Sequence, residues 1–252
     1  MDRAYQIQCC RWQDAIGAVG MVDHTISDPP YEAEAHTLQR RVKRGATNGA
    51  DDRVAIPEAL DFAPIEESER DASAAAMATA SRRWILVFCQ AEAVAAWRDS
   101  LVAGGAVYKR ACVWVKPDGM PQLTGDRPAM GYESIVAAHA PGKSSWNGGG
   151  SLGVFCVGKS DSDRSGHPTQ KPTALMERLI RLFTDPGETI LDPFMGSGST
   201  GVAAIRLGRK FIGFEKDPKY FAMAERRLAA AREQFDLVSR MKTHKMKQEP
   251  LL

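Results

Sequence analysis

The sequence lacks a strong net charge, cysteine pairs with metal-ligand spacing and long apolar runs, and each absence argues against one broad class of protein. Its formal net charge is only +2, so overall basicity does not indicate nucleic acid, and any such partner must be held by local basic clusters. The five cysteines are odd in number, and no pair has metal-ligand spacing. We predict no metal site. No apolar run could span a bilayer and no secretory segment opens the chain, so we expect a soluble, cytoplasmic protein.

The pattern of apolar segments predicts one α/β domain over residues 1–252. The chain is 44% hydrophobic, and its length allows a full core. Predicted strands alternate with helices, which is typical of a mostly parallel, doubly wound sheet. The predicted strands are Tyr5–Cys10, Val22–Ser27, Arg83–Gln90, Tyr108–Lys116, Glu133–His139, Glu188–Asp192 and Lys210–Glu215. The predicted helices include Ala91–Ala103, Ala174–Phe183 and Asp217 to about Phe235, with a basic tail after the last.

Residues 32–80 differ in character from the rest and are interpreted as an insertion or lid. They carry the densest basic cluster of the chain, which we assign to contacts with DNA phosphates. A solvated helix face is an equally good interpretation of the same charges. The cluster consists of Arg40, Arg41, Lys43 and Arg44.

A glycine turn follows the strand that ends at Asp192. The residues Gly196-Ser197-Gly198-Ser199-Thr200-Gly201 have the spacing G-x-G-x-x-G, and Glu215 lies where an acid binds ribose hydroxyls. Taken alone, this pattern favours a dinucleotide such as NAD. A structural turn without a ligand is the simpler alternative.

The residues before the glycines argue against a dinucleotide. A carboxylate at Asp192 would repel a pyrophosphate, whereas S-adenosylmethionine has no phosphate and carries an ammonium and a sulfonium. Asp192 could pair with the ammonium, and Phe194 could line the cationic centre. Ser199, Thr200 and the helix N-terminus could accept the cofactor's carboxylate.

A second motif, Asp28-Pro29-Pro30-Tyr31, ends the strand Val22–Ser27. Asp28 and the Pro29 carbonyl offer two acceptors for the hydrogens of an amino group, and Tyr31 offers a flat face for stacking a base. Two acceptors would aim the lone pair of a weakly nucleophilic amino nitrogen at a methyl donor. A paired base cannot reach such a pocket, so the target must be flipped out. The alternative is that the prolines only end a strand.

With these two motifs the chain resembles the amino-methyltransferases of DNA. Asp28–Tyr31 looks like the family's catalytic motif, and 192–200 looks like its S-adenosylmethionine motif. The segment 167–172 is similar to the one that helps hold the methionine moiety, and this similarity implies cofactor contacts by His167, Thr169 and Lys171. The motif order resembles the circularly permuted β group.

The resemblance implies a seven-stranded, Rossmann-like sheet with a reversed hairpin at one edge, whose first strand pairs beside the two C-terminal strands. Two departures stand out. The family often has Gly-Asp after its first strand, where this chain has Cys9-Cys10-Arg11-Trp12. No separate target-recognition domain is evident, so residues 32–80 and 117–166 are assigned that role.

The predicted activity is methylation of adenine N6 in double-stranded DNA with S-adenosylmethionine as methyl donor. Cytosine N4 is the first alternative. In the family, Ser at the first position of the motif favours cytosine, so Asp28 favours adenine. RNA is a further substrate option. An NAD-dependent oxidoreductase and a catalytically silent DNA-binding protein are the alternatives from other classes. A homodimer and a cognate restriction enzyme are left open as partners. The zinc deaminase signature is absent.

Overall fold

The computed structural model describes residues 4–31, 64–119, 128–158 and 170–248, with the backbone alone for 242–248. Within these ranges the chain forms eight strands and six α-helices. The strands are β1 (Tyr5–Cys9), β2 (His24–Ser27), β3 (Trp84–Cys89), β4 (Val107–Val115), β5 (Tyr132–His139), β6 (Val154–Cys156), β7 (Thr189–Asp192) and β8 (Lys210–Glu215). The helices are α1 (Trp12–Val19), α2 (Glu67–Ala80), α3 (Val94–Ala103), α4 (Thr173–Phe183), α5 (Ser199–Arg206) and α6 (Pro218–Gln248).

The eight strands form one sheet in the order β1-β8-β7-β2-β3-β5-β4-β6. The predicted α/β class is confirmed, and β1 pairs in parallel with β8 as expected. The reversed strand is β5, which is antiparallel to both β3 and β4. The count differs from the seven strands expected, because the short segment β6 adds to the edge beside β4.

Both faces of the sheet are covered by helices, which explains the continuous apolar run of β3. Every residue of β3 is buried. Leu86 and Phe88 belong to the cluster formed with α4, α5 and α6, whereas Ile85 and Val87 belong to the cluster formed with α2 and α3. Successive side chains of a strand point to opposite faces, so the sheet is the middle layer of three.

Two segments differ from the prediction. Glu67–Ala80, assigned to an insertion or lid, forms a helix whose Ala74 and Met77 are fully buried against the sheet. This part of 32–80 therefore belongs to the core, while 32–63 lie outside the described residues. The last helix continues to Gln248, beyond Phe235 and through the predicted tail. No helix in the described part of the chain is both long and apolar enough to cross a membrane.

The order of the strands reverses between β2 and β7. From β7 the chain proceeds through α5 to β8 on one side, and from β2 it proceeds through α2 to β3 on the other. Open α/β sheets bind their ligands at such a switch point, outside the carboxyl ends of the strands. The two predicted motifs begin at these two strand ends.

The packing of α2 can be tested with two methionines. We expect Met77→Ala to lower the free energy of unfolding by about 2–5 kcal/mol, because it opens a cavity at a fully buried side chain. Met241→Ala, at an exposed methionine of α6, should change it by less than about 0.5 kcal/mol. Urea denaturation of both variants measures the difference, and equal effects would show that 67–80 is not part of the core.

Candidate active site

The catalytic motif leaves the sheet at the carboxyl end of β2. Ser27 is the last residue of the strand, and Asp28 follows it directly. Two prolines then end the strand pairing, because proline has no backbone N–H to donate. The carbonyl of Tyr31 accepts a hydrogen bond from the backbone N–H of Ile65 at 3.1 Å, so the far end of the motif is also held.

The two carboxylate oxygens of Asp28 have different surroundings. Oδ2 accepts a hydrogen bond from Lys171 Nζ at 2.6 Å. Oδ1 is buried and has no partner among the described residues. Burial raises the pKa of Asp28, and Lys171 opposes the rise. Among the described residues, the site therefore contains a desolvated carboxylate oxygen without a hydrogen-bond donor.

Lys171, predicted as a cofactor contact, lies in the catalytic pocket. Its ammonium is 3.3 Å from the Tyr31 hydroxyl and 3.2 Å from Glu133 Oε2, besides its bond to Asp28. It also lies 5.3 Å from the centre of the Tyr31 ring. Burial acts to lower the pKa of Lys171, but Asp28 and Glu133 outweigh it and raise the pKa, so the side chain stays charged.

Sequence reasoning missed two members of this pocket, Glu133 and Lys116. Glu133 accepts a hydrogen bond of 2.5 Å from the Tyr31 hydroxyl and forms an ion pair with Lys116. Burial would raise the pKa of Glu133, but Lys171 and Lys116 outweigh it and lower the pKa to about 2. The pocket thus contains two carboxylates and two ammonium groups, with no net charge.

A signal for Glu133 did exist in the sequence. It precedes Ser134–His139, an almost wholly apolar segment, and a charge at the start of a buried strand requires a partner. Because β5 is reversed, its amino end lies at the same edge as the carboxyl ends of β2 and β4. Lys116 follows β4 directly and so reaches the same place.

The predicted cofactor turn connects β7 to α5. Gly196 and Gly198 have positive φ values of 51° and 82°, in the region that favours glycine. A Cβ atom on Gly198 would lie 2.7 Å from Leu228 Cδ1 and 3.0 Å from Ala224 Cβ. Gly198 therefore permits both the turn and the close approach of α6.

Asp192 joins the two motifs at the base of the site. Its Oδ1 accepts hydrogen bonds from Ser27 Oγ at 2.8 Å and from the Phe194 N–H at 3.1 Å. Its Oδ2 accepts one from Thr200 Oγ1 at 2.7 Å. Burial raises the pKa of Asp192 to about 7, against the effect of these donors, and the charge of Asp28 adds to the rise. The two motif carboxylates therefore lie near enough to influence each other.

Other predicted cofactor residues surround the turn. Glu215, at the end of β8, accepts hydrogen bonds from the Gly196 N–H at 3.0 Å and the Asp217 N–H at 2.8 Å. Arg227, which sequence reasoning missed, donates to the Ser197 carbonyl at 2.6 Å and to its Oγ at 3.0 Å. It also lies 3.4 Å from Ser199 Oγ.

Phe194 packs beside a residue of the stretch that departs from the family. The Phe194 ring lies 6.3 Å from that of Trp12, at an angle of 55°. The Trp12 indole nitrogen is buried without a partner among the described residues. The stretch after β1 therefore contributes an aromatic ring to the surroundings of the turn.

Some predicted site residues lie outside the described part of the chain, so the structure does not place them. These are Arg40, Arg41, Lys43, Arg44, His167 and Thr169.

The raised pKa of Asp192 has a consequence for stability. Between its ordinary value of 3.8 and about 7, this carboxyl is protonated in the folded protein and ionised in the unfolded chain. The folded state therefore loses about 4 kcal/mol of relative stability as the pH rises through this window. Asp192→Asn cannot ionise, so its free energy of unfolding should rise relative to wild type by up to about that amount. Urea titrations across the window test this, and parallel pH profiles would contradict it.

Known proteins resemble residues 147–226 in sequence and most of the chain in fold. Residues 147–226 match the family model of the DNA methylases of the N6 and N4 group. The type II methyltransferase M2.DpnII of Streptococcus pneumoniae is 55% identical over 67 residues, or 27% of this chain. That match spans only a quarter of the relative's length, 25%.

Solved structures match over most of the chain. The M1.HpyAVI–SAM complex is 27% identical, with a TM-score of 0.67 over 89% of this chain and 98% of that one. The PvuII DNA methyltransferase, described as cytosine-N4-specific, is 15% identical, with a TM-score of 0.68 over 92% of this chain and 94% of that one, and this likeness shows the fold alone. The matched segment 147–226, the shared fold and the meeting of the two motifs at one sheet edge make the chain similar to the DNA methylases of the N6 and N4 group.

Proposed function

We propose that the protein transfers the methyl group of S-adenosylmethionine to N6 of a flipped-out adenine in double-stranded DNA. The observation that carries this proposal is the unpartnered, buried Oδ1 of Asp28. It lies at the switch point of the sheet, next to the strand whose Asp192 opens the glycine turn. An acceptor for an amino hydrogen thus adjoins a turn that suits a nucleoside cofactor.

The residues of the turn fit S-adenosylmethionine by their chemistry. The site offers acidic side chains at Asp192 and Glu215. The pKa of Asp192 is raised to about 7, and a neighbouring ammonium would favour its ionised form. Ionised side chains here suit an ammonium group and ribose hydroxyls and would repel a pyrophosphate. The half-buried ring of Phe194 suits a neighbouring cation. When bound, this cofactor supplies an electrophilic methyl group on a positively charged sulfur. A solved relative, M1.HpyAVI, is described as a complex with SAM, which supports the same assignment.

Asp28 acts on the amino group that receives the methyl group. Its free oxygen accepts one amino hydrogen, and the Pro29 carbonyl offers a second acceptor, so the nitrogen lone pair can be directed away from the ring. The nitrogen must release one proton once it has gained the methyl group, and Asp28 Oδ1 is an acceptor already at hand. Positioning and electrostatics therefore account for more of the catalysis than strong basicity does.

Asp28 also favours adenine N6 over cytosine N4, since the resemblance associates Ser at this position with cytosine. The fold does not separate the two targets, because the cytosine-N4-specific PvuII enzyme shares it. The NAD alternative finds no support, because Asp192 is next to the turn and the matched proteins are methyltransferases.

The contacts with DNA remain predictions from the sequence. The basic cluster of 40–44 is proposed to bind phosphates. Within 117–166 the segments on either side of β5 are proposed to read the target, because β5 itself is buried in the sheet. A homodimer and a cognate restriction enzyme likewise stay predictions.

The reaction can be tested by nucleoside analysis. Wild-type protein incubated with labelled S-adenosylmethionine and duplex DNA should place label in 6-methyladenine. Asp28→Ala should lower the rate by about a hundredfold or more, because the acceptor is removed. Mass spectrometry of digested DNA measures both outcomes. Label confined to 4-methylcytosine would overturn the choice of base, and no DNA methylation would overturn the activity.

Cofactor identity can be tested by calorimetry. S-adenosylhomocysteine should bind and NADH should not. Glu215→Gln should weaken S-adenosylhomocysteine binding by about tenfold, because a charged acceptor for hydroxyl groups is lost. Glu177→Gln is the matched control, since Glu177 pairs with Arg181 and Arg206 on the outer face of α4 and should leave binding unchanged. Binding of NADH alone would favour the oxidoreductase.

A further inference from the structure

Glu133 occupies a position that the proposed chemistry does not yet explain. It is the second residue of the reversed strand β5, its side chain is only 12% exposed, and its carboxylate contacts three groups. These groups are the Tyr31 hydroxyl, the Lys171 ammonium and the Lys116 ammonium. Burying a carboxylate is costly unless it is paired in this way. All three contacts join side chains, whereas the backbone of Glu133 pairs with Trp114 in the β4–β5 ladder.

We propose that Glu133 is a positioning residue for methyl transfer, which orients the Tyr31 ring and keeps Lys171 on the Oδ2 side of Asp28. This inference rests on the proposed function and adds a residue to it. In this role Glu133 acts through these two neighbours, which it contacts directly.

The first role concerns the stacking surface. Tyr31 is restrained at its backbone by the two prolines before it, and its hydroxyl donates a 2.5 Å hydrogen bond to Glu133. Because the Tyr31 side chain is restrained both at its backbone and at its hydroxyl group, the orientation of its ring plane is fixed. A base that enters the pocket then meets a surface already aligned for stacking, so less freedom is lost on binding.

The second role concerns the charge beside Asp28. Lys171 is shared between Asp28 Oδ2 at 2.6 Å and Glu133 Oε2 at 3.2 Å. Without Glu133 the ammonium would be attracted to Asp28 alone and could bridge both of its oxygens. Oδ1 would then lose its availability to the amino group. Glu133 thus keeps the acceptor free while leaving Lys171 close enough to stabilise the carboxylate.

Lys116 completes the arrangement by balancing the second carboxylate. It is buried at the end of β4, 4.9 Å from the centre of the Trp114 ring, and pairs with Glu133. Trp114 is the partner of Glu133 in the β4–β5 ladder. The pairing of these two strands therefore brings Lys116 and Glu133 together in the pocket.

Glu133→Gln tests the proposal, because it keeps the shape and removes the charge. We expect the single-turnover rate to fall by about a hundredfold, as for a misplaced reacting group, with affinity for S-adenosylhomocysteine unchanged. The fluorescence change of DNA with 2-aminopurine at the target position should decrease, because the flipped base is held less firmly. The acid limb of the pH–rate profile should move to lower pH. Burial and the charge of Glu133 both raise the pKa of Asp28, so removal of that charge should lower this pKa. A wild-type rate and pH profile would overturn the proposal.

Glu133→Gln removes the carboxylate that pairs with the buried Lys116, so a charge-balanced variant is needed. In Lys116→Met with Glu133→Gln, Asp28 and Lys171 remain as a neutral pair. If this double variant folds, binds S-adenosylhomocysteine and stays slow, the positioning role is supported. If it regains the wild-type rate, Glu133 serves only to neutralise Lys116 and the proposal is overturned.

Tyr31→Phe and Glu177→Gln complete the design. Tyr31→Phe removes only the hydroxyl, so its effect should be less than additive with that of Glu133→Gln, since both break the same contact. Full additivity would overturn the role in ring orientation. Glu177→Gln should react at the wild-type rate, and a loss as large as that of Glu133→Gln would show a general effect of charge removal. Failure of wild-type protein to methylate DNA would instead overturn the proposed function itself.

Discussion

The hydrogen bond from Ser27 to Asp192 connects the two halves of the site. It joins the ends of β2 and β7, the neighbouring parallel strands between which the strand order reverses. The catalytic motif begins one residue after Ser27, and the glycine turn begins just after Asp192. Residues some 165 positions apart in the chain thus become neighbours through a single strand pairing. Any change that shifted the register of β2 on β7 would separate Asp28 from the glycine turn.

Charge balance is the second constraint on the site. A buried ion is tolerated only when paired, and removal of one partner leaves the other uncompensated. Among the described residues, the predicted catalytic pocket meets this condition with four paired charges, from Asp28, Glu133, Lys116 and Lys171. These residues come from the ends of three different strands and from the segment before α4. The hairpin of β4 and β5 therefore contributes to the chemistry as well as to the sheet.

The sequence was sufficient for the parts of the fold and site that depend on local patterns. Strand ends marked by Asp-Pro, a glycine turn and apolar runs predicted the sheet and both motifs, and the family resemblance implied the pairing of the first strand. It was insufficient where a side chain's partner comes from a distant element. The similarity of segment 167–172 to a cofactor-binding segment led to the prediction that Lys171 contacts the cofactor. In the structure its ammonium group pairs with Asp28. Arg227 lies on a helix for which the sequence predicted no role, and it hydrogen-bonds to the turn at Ser197.

The same limit explains the misassigned helix and the extra strand. Glu67–Ala80 is rich in alanine and charge, and its amphipathic pattern is weak, because small residues suffice where a helix lies close to the sheet. Val154–Cys156 has only three residues, too few to show a period of two. In both segments tertiary packing decided the outcome against a faint local signal.

The lone oxygen of Asp28 also bears on how such a protein can be improved by laboratory evolution. A buried acceptor without a donor costs the free protein about 1–3 kcal/mol, and this cost is borne whether or not a substrate is present. Selection for heat resistance alone would favour any replacement that fills this position with a neutral, well-packed side chain. The variants that such a selection enriches would be more thermostable but catalytically inactive. Thermostability and turnover must therefore be screened together in this scaffold.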